Sequence, residues 1–448
     1  NRGKVEDEWS LISSGQLGRP KQRRRHNNKA EMVMRELDAM TERYFVYDEP
    51  ELTLPDLRAK ALNGTKVNWP WRVNRRFATY AQGEIRFLQA LEHHPLRTWN
   101  ASEASFFVIP IPFGATWFWG TKRKCPKCMG RVDRERALTF LVQHAAFFSA
   151  MPEKHIFISV TEHMFTGYWG VPRGLRERLQ SVTAVKDTDY STWRHFTAGY
   201  PQWKCAEVEK IHKETTQRTV SIGWAHESSV PNLPFENLWS NVTKGSSVPI
   251  SLDEWKAKKT IDFFYHTTKE PSRCESTPYR QWLEPDNNSN ENSINKKNSS
   301  MLMVNSSIGY DIPASAWNHD LRRAKYCLVI RGDTPGSRSL FRAIRGACIP
   351  FVVSDALEAY APLFRSRWTL DDFAVLIDEA DFIRHPVVAL QRAVSEVEPQ
   401  EWREKLRNLA LMQRILVLDH PSTSLFVPAL VGEILNSQRN PNYFGHHS

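Results

Sequence analysis

The sequence predicts an α/β protein with two parallel-sheet domains, and three observations carry that prediction. The first is a strand, loop, helix, strand unit from Tyr326 to Asp355. The second is the alternation of short apolar runs with helical patterns on both sides of a polar stretch near residue 240. The third is length, because 448 residues supply two domains of ordinary size, each able to bury its own core.

Residues 1–30 contain eight Lys or Arg against three acids and show no apolar periodicity, so they read as a disordered basic tail or stem. The formal net charge of +10 is half accounted for by that tail. The rest is spread over a body rich in acids, with no basic face or nucleic-acid module in view. Between residues 31 and 237, apolar runs at Tyr44–Tyr47, Phe106–Ile111, His155–Val160 and Val220–Trp224 alternate with helical patterns at Ala81–Leu91 and Arg134–Phe148. That alternation predicts the N-terminal α/β domain. Residues 238–258 read as an interdomain linker, with Ser, Gly, Asn and Pro enriched from Leu238 to Pro249. A second α/β domain spans residues 259–420, opening on the run at Ile261, with a late strand at Phe373–Ile377 and a strong helix at Glu401–Leu416. Within it, Asp286–Ser307 is dominated by Asn and Ser and reads as a disordered surface insertion. Residues 421–448 hold a short helical pattern, Val427–Leu435, and a tail.

The Tyr326–Asp355 unit carries the most chemistry. An apolar strand, Tyr326–Ile330, meets the turn-rich loop Arg331-Gly332-Asp333-Thr334-Pro335-Gly336. A helix with Leu340, Phe341 and Ile344 on one face follows, then a second strand, Ile349–Val353. Crossovers of this kind are right-handed, and their ligands sit beyond the carboxyl ends of the strands, where this loop lies. Gly332 and Gly336 allow close backbone approach, Ser337 can cap the helix, and Arg331 and Arg338 add charge at its positive end. A diphosphate suits such a place. An ordinary βα turn with solvated arginines is the competing reading, since the loop is neither a Walker loop nor a dinucleotide fingerprint.

Other signals are weaker. Cys125-Pro126-Lys127-Cys128 has no second ligand pair at zinc spacing and reads as a disulfide or loop pair. Cys327 and Cys348 are expected as small apolar core residues in their strands. Asp187-Thr188-Asp189 has a spacing that can hold a divalent cation, but it lies among aromatic and loop residues, so no metal site is assigned. Trp193, His195, Tyr200 and Trp203 read as packing residues that could alternatively stack on sugar rings. Six N-glycosylation sequons, at Asn63, Asn100, Asn241, Asn287, Asn298 and Asn305, lean toward a secretory lumen. No run of eighteen apolar residues occurs, and the first residue is Asn rather than Met, which suggests a missing upstream segment.

The chain resembles the exostosin family of glycosyltransferases. The resemblance rests on Arg331-Gly332-Asp333-Thr334-Pro335, Ser337-Arg338, Leu340-Phe341, Ala343-Ile344, and Cys348-Ile349-Pro350 closing on Ser354-Asp355. Weaker pieces agree in order: Tyr44 to Asp48, Ala104 to Pro110, His155 to Phe157, Val230-Pro231, Ile261 to Phe264, and Trp368 to Glu379. The resemblance implies a GT-B fold, two Rossmann-like domains facing across a cleft. It also implies inverting sugar transfer from a nucleotide sugar, UDP-linked, to a glycan or glycoprotein acceptor in the Golgi lumen, without an essential metal. An N-terminal membrane anchor upstream and homo- or heterodimers go with it, and a non-catalytic partner subunit is the alternative. The donor-side candidates are Arg331, Asp333, Thr334, Ser337 and Arg338 around the phosphates. Glu379 matches a family acidic residue that accepts from ribose hydroxyls, with a solvated loop carboxylate as the alternative, and Lys269, Arg273 and Arg280, otherwise surface residues, add charge against the leaving diphosphate. The general base of an inverting enzyme removes the acceptor hydroxyl's proton, and the candidates are Asp48, Glu162 and His163. Two departures stand out: Tyr265-His266 follows a strand where relatives have Ala-Gly, and Ala361-Pro362-Leu363-Phe364 replaces Leu-Pro-Phe followed by an acid.

Overall fold

A computed structural model describes residues 29–64, 75–120, 131–159, 177–179, 181–186, 219–223, 235–243, 246–267, 304–308, 314–330, 337, 339–355, 357–360, 363–420, 423–440 and 443. Two parallel sheets organise these residues, as the alternating pattern predicts. The first has the order β2-β1-β3-β4-β5-β6, with β1 Tyr44–Val46, β2 Arg97–Thr98, β3 Phe106–Ile109, β4 His155–Ser159, β5 Thr183–Lys186 and β6 Thr219–Ser221. The ribbon β7 Trp239–Thr243 and β8 Ser246–Pro249 follows. The second sheet has the order β10-β9-β11-β12-β13, with β9 Ile261–Thr267, β10 Val304–Ile308, β11 Ala324–Ile330, β12 Ile349–Val353 and β13 Val375–Leu376. Every pairing within both sheets is parallel. Parallel strands are covered on both faces, so the central ones are continuous apolar runs, and β3, β4 and β12 are buried at every position.

The residues read as a linker are structured. After the antiparallel ribbon, Ser251 caps the helix Leu252–Lys258 by accepting the Glu254 N–H at 3.1 Å. Trp255 in that helix is fully buried and donates its indole N–H to Ala347 O at 2.8 Å. Strand β10 corrects the predicted insertion at its end, because Val304–Ser307 pair with Phe263–His266 of β9. An edge strand is bonded along one side only, so it forms with little apolar content, and the sequence Val-Asn-Ser-Ser-Ile gave no alternating signal. The remainder of the predicted insertion, 286–303, lies outside the described residues.

Cys327 and Cys348 are joined in a disulfide, with Cα atoms 5.7 Å apart, rather than free as expected. The reason is register: Cys327 on β11 faces Pro350 on β12, which brings Cys348, two residues earlier, within bonding reach. The cross-link encloses the whole loop and helix between the two strands.

The sheets share one continuous apolar cluster that includes Phe87, Val220, Phe263, Leu340 and Phe426. The terminal helix Phe426–Arg439 reaches the first sheet's helix layer, where Phe426 stacks on Phe87 of the helix Arg75–His93 at a centroid distance of 4.5 Å. Its fully buried Glu433 accepts from the Ser366 N–H at 3.0 Å and from the hydroxyls of Ser366 and Tyr443. Those donors compensate a carboxylate taken out of water. From the chain's other end, the helix Lys29–Asp38 makes ion pairs to Asp372 through Lys29 and to Arg367 through Glu36, each at 2.5 Å.

Candidate donor site

The second sheet aligns three chain segments at its carboxyl edge. Ile330 of β11 is in register with Val353 of β12, and Val352 of β12 with Leu376 of β13. The end of β11 at Ile330, the turn at Ser354-Asp355 and the turn at Asp378-Glu379 therefore lie side by side, at the edge where open α/β sheets bind ligands. The helix Ser339–Arg345 starts in this row. The Ser337 hydroxyl accepts the Ser339 N–H at 3.4 Å and the Ser337 carbonyl accepts the Leu340 N–H at 3.2 Å, so Ser337 takes the capping place expected of it.

The far end of that helix is anchored. Buried Lys259 donates to Gly346 O at 3.0 Å and to Arg322 O at 2.5 Å, while Gln413 donates to Ile344 O at 2.8 Å. Burial pulls the Lys259 ammonium down to about 7. Leu340, Phe341, Ala343 and Ile344 are buried, which extends the one-face pattern read from the sequence. A helix held at its rear by hydrogen bonds, buried packing and the Cys348 cross-link presents its N-terminus in a fixed direction.

Glu379 is 4% exposed, and sequence alone did not show why. Its Oε1 accepts the Asp355 N–H at 3.0 Å, and its own N–H donates to Asp355 Oδ1 at 3.3 Å. This reciprocal pair ties the turn after β12 to the turn after β13. Asp378 caps the following helix, Glu379–Arg384, by accepting the Asp381 N–H at 2.8 Å.

On the first sheet, Asp48 follows β1 and is exposed to water. The neighbouring Glu49, which sequence reasoning passed over, is half-buried and has a shielded Oε2 with no hydrogen-bond partner among the described residues. Its adjacency to Asp48 was the available signal. Tyr47 and His155 lie behind them: the Tyr47 hydroxyl meets His155 Nε2 at 2.8 Å, and His155 Nδ1 donates to Met151 O at 2.8 Å. A carbonyl can only accept, so Nδ1 carries the proton and the ring is neutral with Nε2 accepting. Burial pushes the His155 imidazole down to about 4.

Segments from the two halves meet beside the helix Ser339–Arg345. Ile222, directly after β6, forms an antiparallel bridge with Leu363. Gly223 has φ +54°, and a Cβ placed on it would lie 2.8 Å from both Leu363 Cδ2 and Phe341 Cζ, so a side chain there would strain the backbone and have to push both neighbours aside. Leu363 and Phe364, both buried, belong to the segment that departs from the family pattern.

Arg331, Asp333, Thr334, Arg338, Lys269, Arg273, Glu162 and His163 lie outside the described residues, as do Asp187, Asp189 and the Trp193–Trp203 aromatics. Among the expected site residues, the structure brings Ser337 and Glu379 to one edge and sets Asp48 on the other sheet.

The exostosin GT47 domain matches residues 45–393, from β1 into the second helix after β13, Pro386–Glu396. The chain belongs to the exostosin GT47 family. It is accordingly a glycosyltransferase of GT-B type, working with a nucleotide-sugar donor and a glycan acceptor, and its two parallel sheets are those of that fold. Comparison with curated proteins returns no match. The GT47 match includes both the β11–β12 unit and the Ile222–Leu363 contact, so the carboxyl edge of the second sheet and this junction lie inside the family's domain.

Proposed function

We propose that this chain is an inverting glycosyltransferase that moves a hexosyl or pentosyl unit from a UDP-sugar to a glycan or glycoprotein in the Golgi lumen. The observation that carries the reading is the convergence of Ser337, Asp355 and Glu379 at one carboxyl edge, just beyond the end of β11. Arg331 and Arg338 bind the diphosphate as charge-assisted donors, with Asp333 and Thr334 shaping the loop and Ser337 holding the helix start. Lys269 and Arg273 add positive charge as the nucleoside diphosphate leaves. Glu379, fixed by the Asp355 backbone, accepts from ribose hydroxyls. Asp48, solvated and at the end of β1, removes the acceptor hydroxyl's proton as that oxygen attacks the anomeric carbon, and Glu162 and His163 are the alternatives on the strand β4 side. Cationic side chains and the helix N-terminus balance the leaving charge, so the reaction needs no divalent metal.

The lumenal setting is supported by the buried Cys327–Cys348 disulfide, since such bonds persist in oxidising compartments. Membrane attachment and dimer formation belong to the same proposal. A melting-temperature screen against nucleotide sugars tests it. A true donor at about one hundred times its Kd stabilises by about 2.7 kcal/mol. Stabilisation by UDP-sugars above other nucleotides is expected, and a flat response to every nucleotide sugar overturns the donor assignment in favour of a non-catalytic subunit.

A further inference from the structure

Trp99 is 72% exposed at the rim of the first sheet, beside a fully described sequon. It follows β2, the two-residue edge strand, and one of its faces is already covered. The Arg97 guanidinium lies 3.6 Å from the ring centroid and is itself anchored, Nη1 to Glu92 O at 3.0 Å and Nη2 to Val46 O at 3.2 Å. A large aromatic held flat by a fixed cation, with its second face open to water, is a platform awaiting an occupant.

The next residue supplies one. Asn100-Ala101-Ser102 is exposed at Asn100 and Ser102 and folds into a tight turn. Asn100 Oδ1 accepts the Ser102 N–H at 3.2 Å and the Ser102 hydroxyl at 2.8 Å, and Nδ2 donates to Glu103 Oε1 at 3.0 Å. An amide substituted once on nitrogen keeps one N–H, so the bond to Glu103 survives modification. Thr98 Oγ1 accepts the Asn100 N–H at 3.1 Å and donates to Glu103 Oε2 at 3.1 Å, so the turn does not depend on the amide being bare. Asn305, by contrast, lies within the β10 ladder.

We propose that Asn100 carries an N-linked glycan whose first sugar lies on the open face of Trp99. Transfer joins Asn100 Nδ2 to the anomeric carbon of an oligosaccharide, breaks that carbon's bond to a lipid diphosphate, and releases one amide proton to water. The apolar C–H face of the sugar meets the indole, and the glycan blunts the sheet's edge against pairing with another chain. The inference rests on the lumenal part of the proposed function and not on its sugar-transfer chemistry.

Secretion of the chain from eukaryotic cells behind a leader peptide tests it, because the leader supplies the lumen whatever the native compartment. Peptide mass spectrometry after amidase release in heavy-oxygen water is expected to show most Asn100 converted to labelled Asp. Asn100→Gln and Ser102→Ala should each remove one glycan from the intact mass. A predominantly unmodified Asn100 peptide overturns the site. Trimming the glycan back to protein should lower the melting temperature of the wild type but not of Trp99→Ala, and an equal drop in both overturns the stacking.

Discussion

The two sheets are built by the same rule and differ at their carboxyl edges. At the second sheet, the edge is assembled from neighbours in sequence: β11, the following segment, one helix and β12 are consecutive, and Cys327–Cys348, 21 residues apart, cross-links β11 to the residue just before β12. At the first sheet, the corresponding edge gathers Asp48 after β1, the end of β4 at Ser159 and the turn at Gly223 after β6 from positions far apart in the chain. The difference teaches that grip and chemistry have different structural requirements. A nucleotide diphosphate needs backbone donors and charge at one helix end, which a single contiguous unit provides. Deprotonating a variable acceptor needs one carboxylate at one distance, which can come from any loop that reaches.

The comparison breaks most visibly at Asp48. If the first sheet supplies the base there, Asp48→Asn lowers kcat by about a hundred- to ten-thousandfold while leaving nucleotide affinity unchanged. Glu49→Gln serves as its neighbour control, and a larger kcat loss in Glu49→Gln than in Asp48→Asn moves the base by one residue. Single-turnover kinetics with isothermal titration separates the two parameters.

Arg338→Ala tests the other edge. Loss of a charge-assisted bond worth about 1.5 to 3 kcal/mol weakens nucleoside diphosphate binding about ten- to a hundredfold, with melting temperature held. Arg338→Lys recovers part of it, since a point charge replaces a planar fork. Unchanged affinity in Arg338→Ala removes the donor assignment.

The cross-link sharpens the contrast between a braced and an unbraced edge. Opening a 21-residue loop by Cys327→Ser with Cys348→Ser costs about 3 kcal/mol by the chain-entropy account, read in urea titration. Donor affinity should fall along with stability. Unaltered stability would mean that strand pairing alone holds the unit.

The smallest effect is a pH dependence seated in the first sheet. His155 is held neutral with a pKa near 4, against an ordinary 6.5 in the unfolded chain. Between those values the unfolded state binds the extra proton, so stability is full above about 6.5 and is lost as pH falls toward 4. His155→Gln should flatten that slope in urea midpoints measured from pH 4 to 7. An unchanged slope would assign the acid lability elsewhere, with His420, also pushed down to about 4, as the next group to replace.

The sequence carried the architecture and the donor edge further than the acceptor edge. Ile349–Val353 was legible because a strand buried on both faces must be apolar throughout, and its observed bounds match the run. Strand β5, Thr-Ala-Val-Lys, and strand β10 were not, because short strands take their stability from ladder bonds to neighbours, which leave little trace in composition. The helix cap at Ser337 was legible from local chemistry, whereas the Asp355–Glu379 exchange joins turns 24 residues apart and needed the strand register. The Cys327–Cys348 bond was misread for the same reason: six cysteines admit many pairings, and only register selects one.

The contact at Gly223 sets a length scale for the reaction. The helix whose N-terminus faces the donor edge presents Phe341 to a residue that has no side chain, on a turn leaving the other sheet. A side chain at this position would have to displace Leu363 and Phe341 where the two halves meet. The expected consequence is a variant that still binds each substrate alone and is slowed in bringing them together.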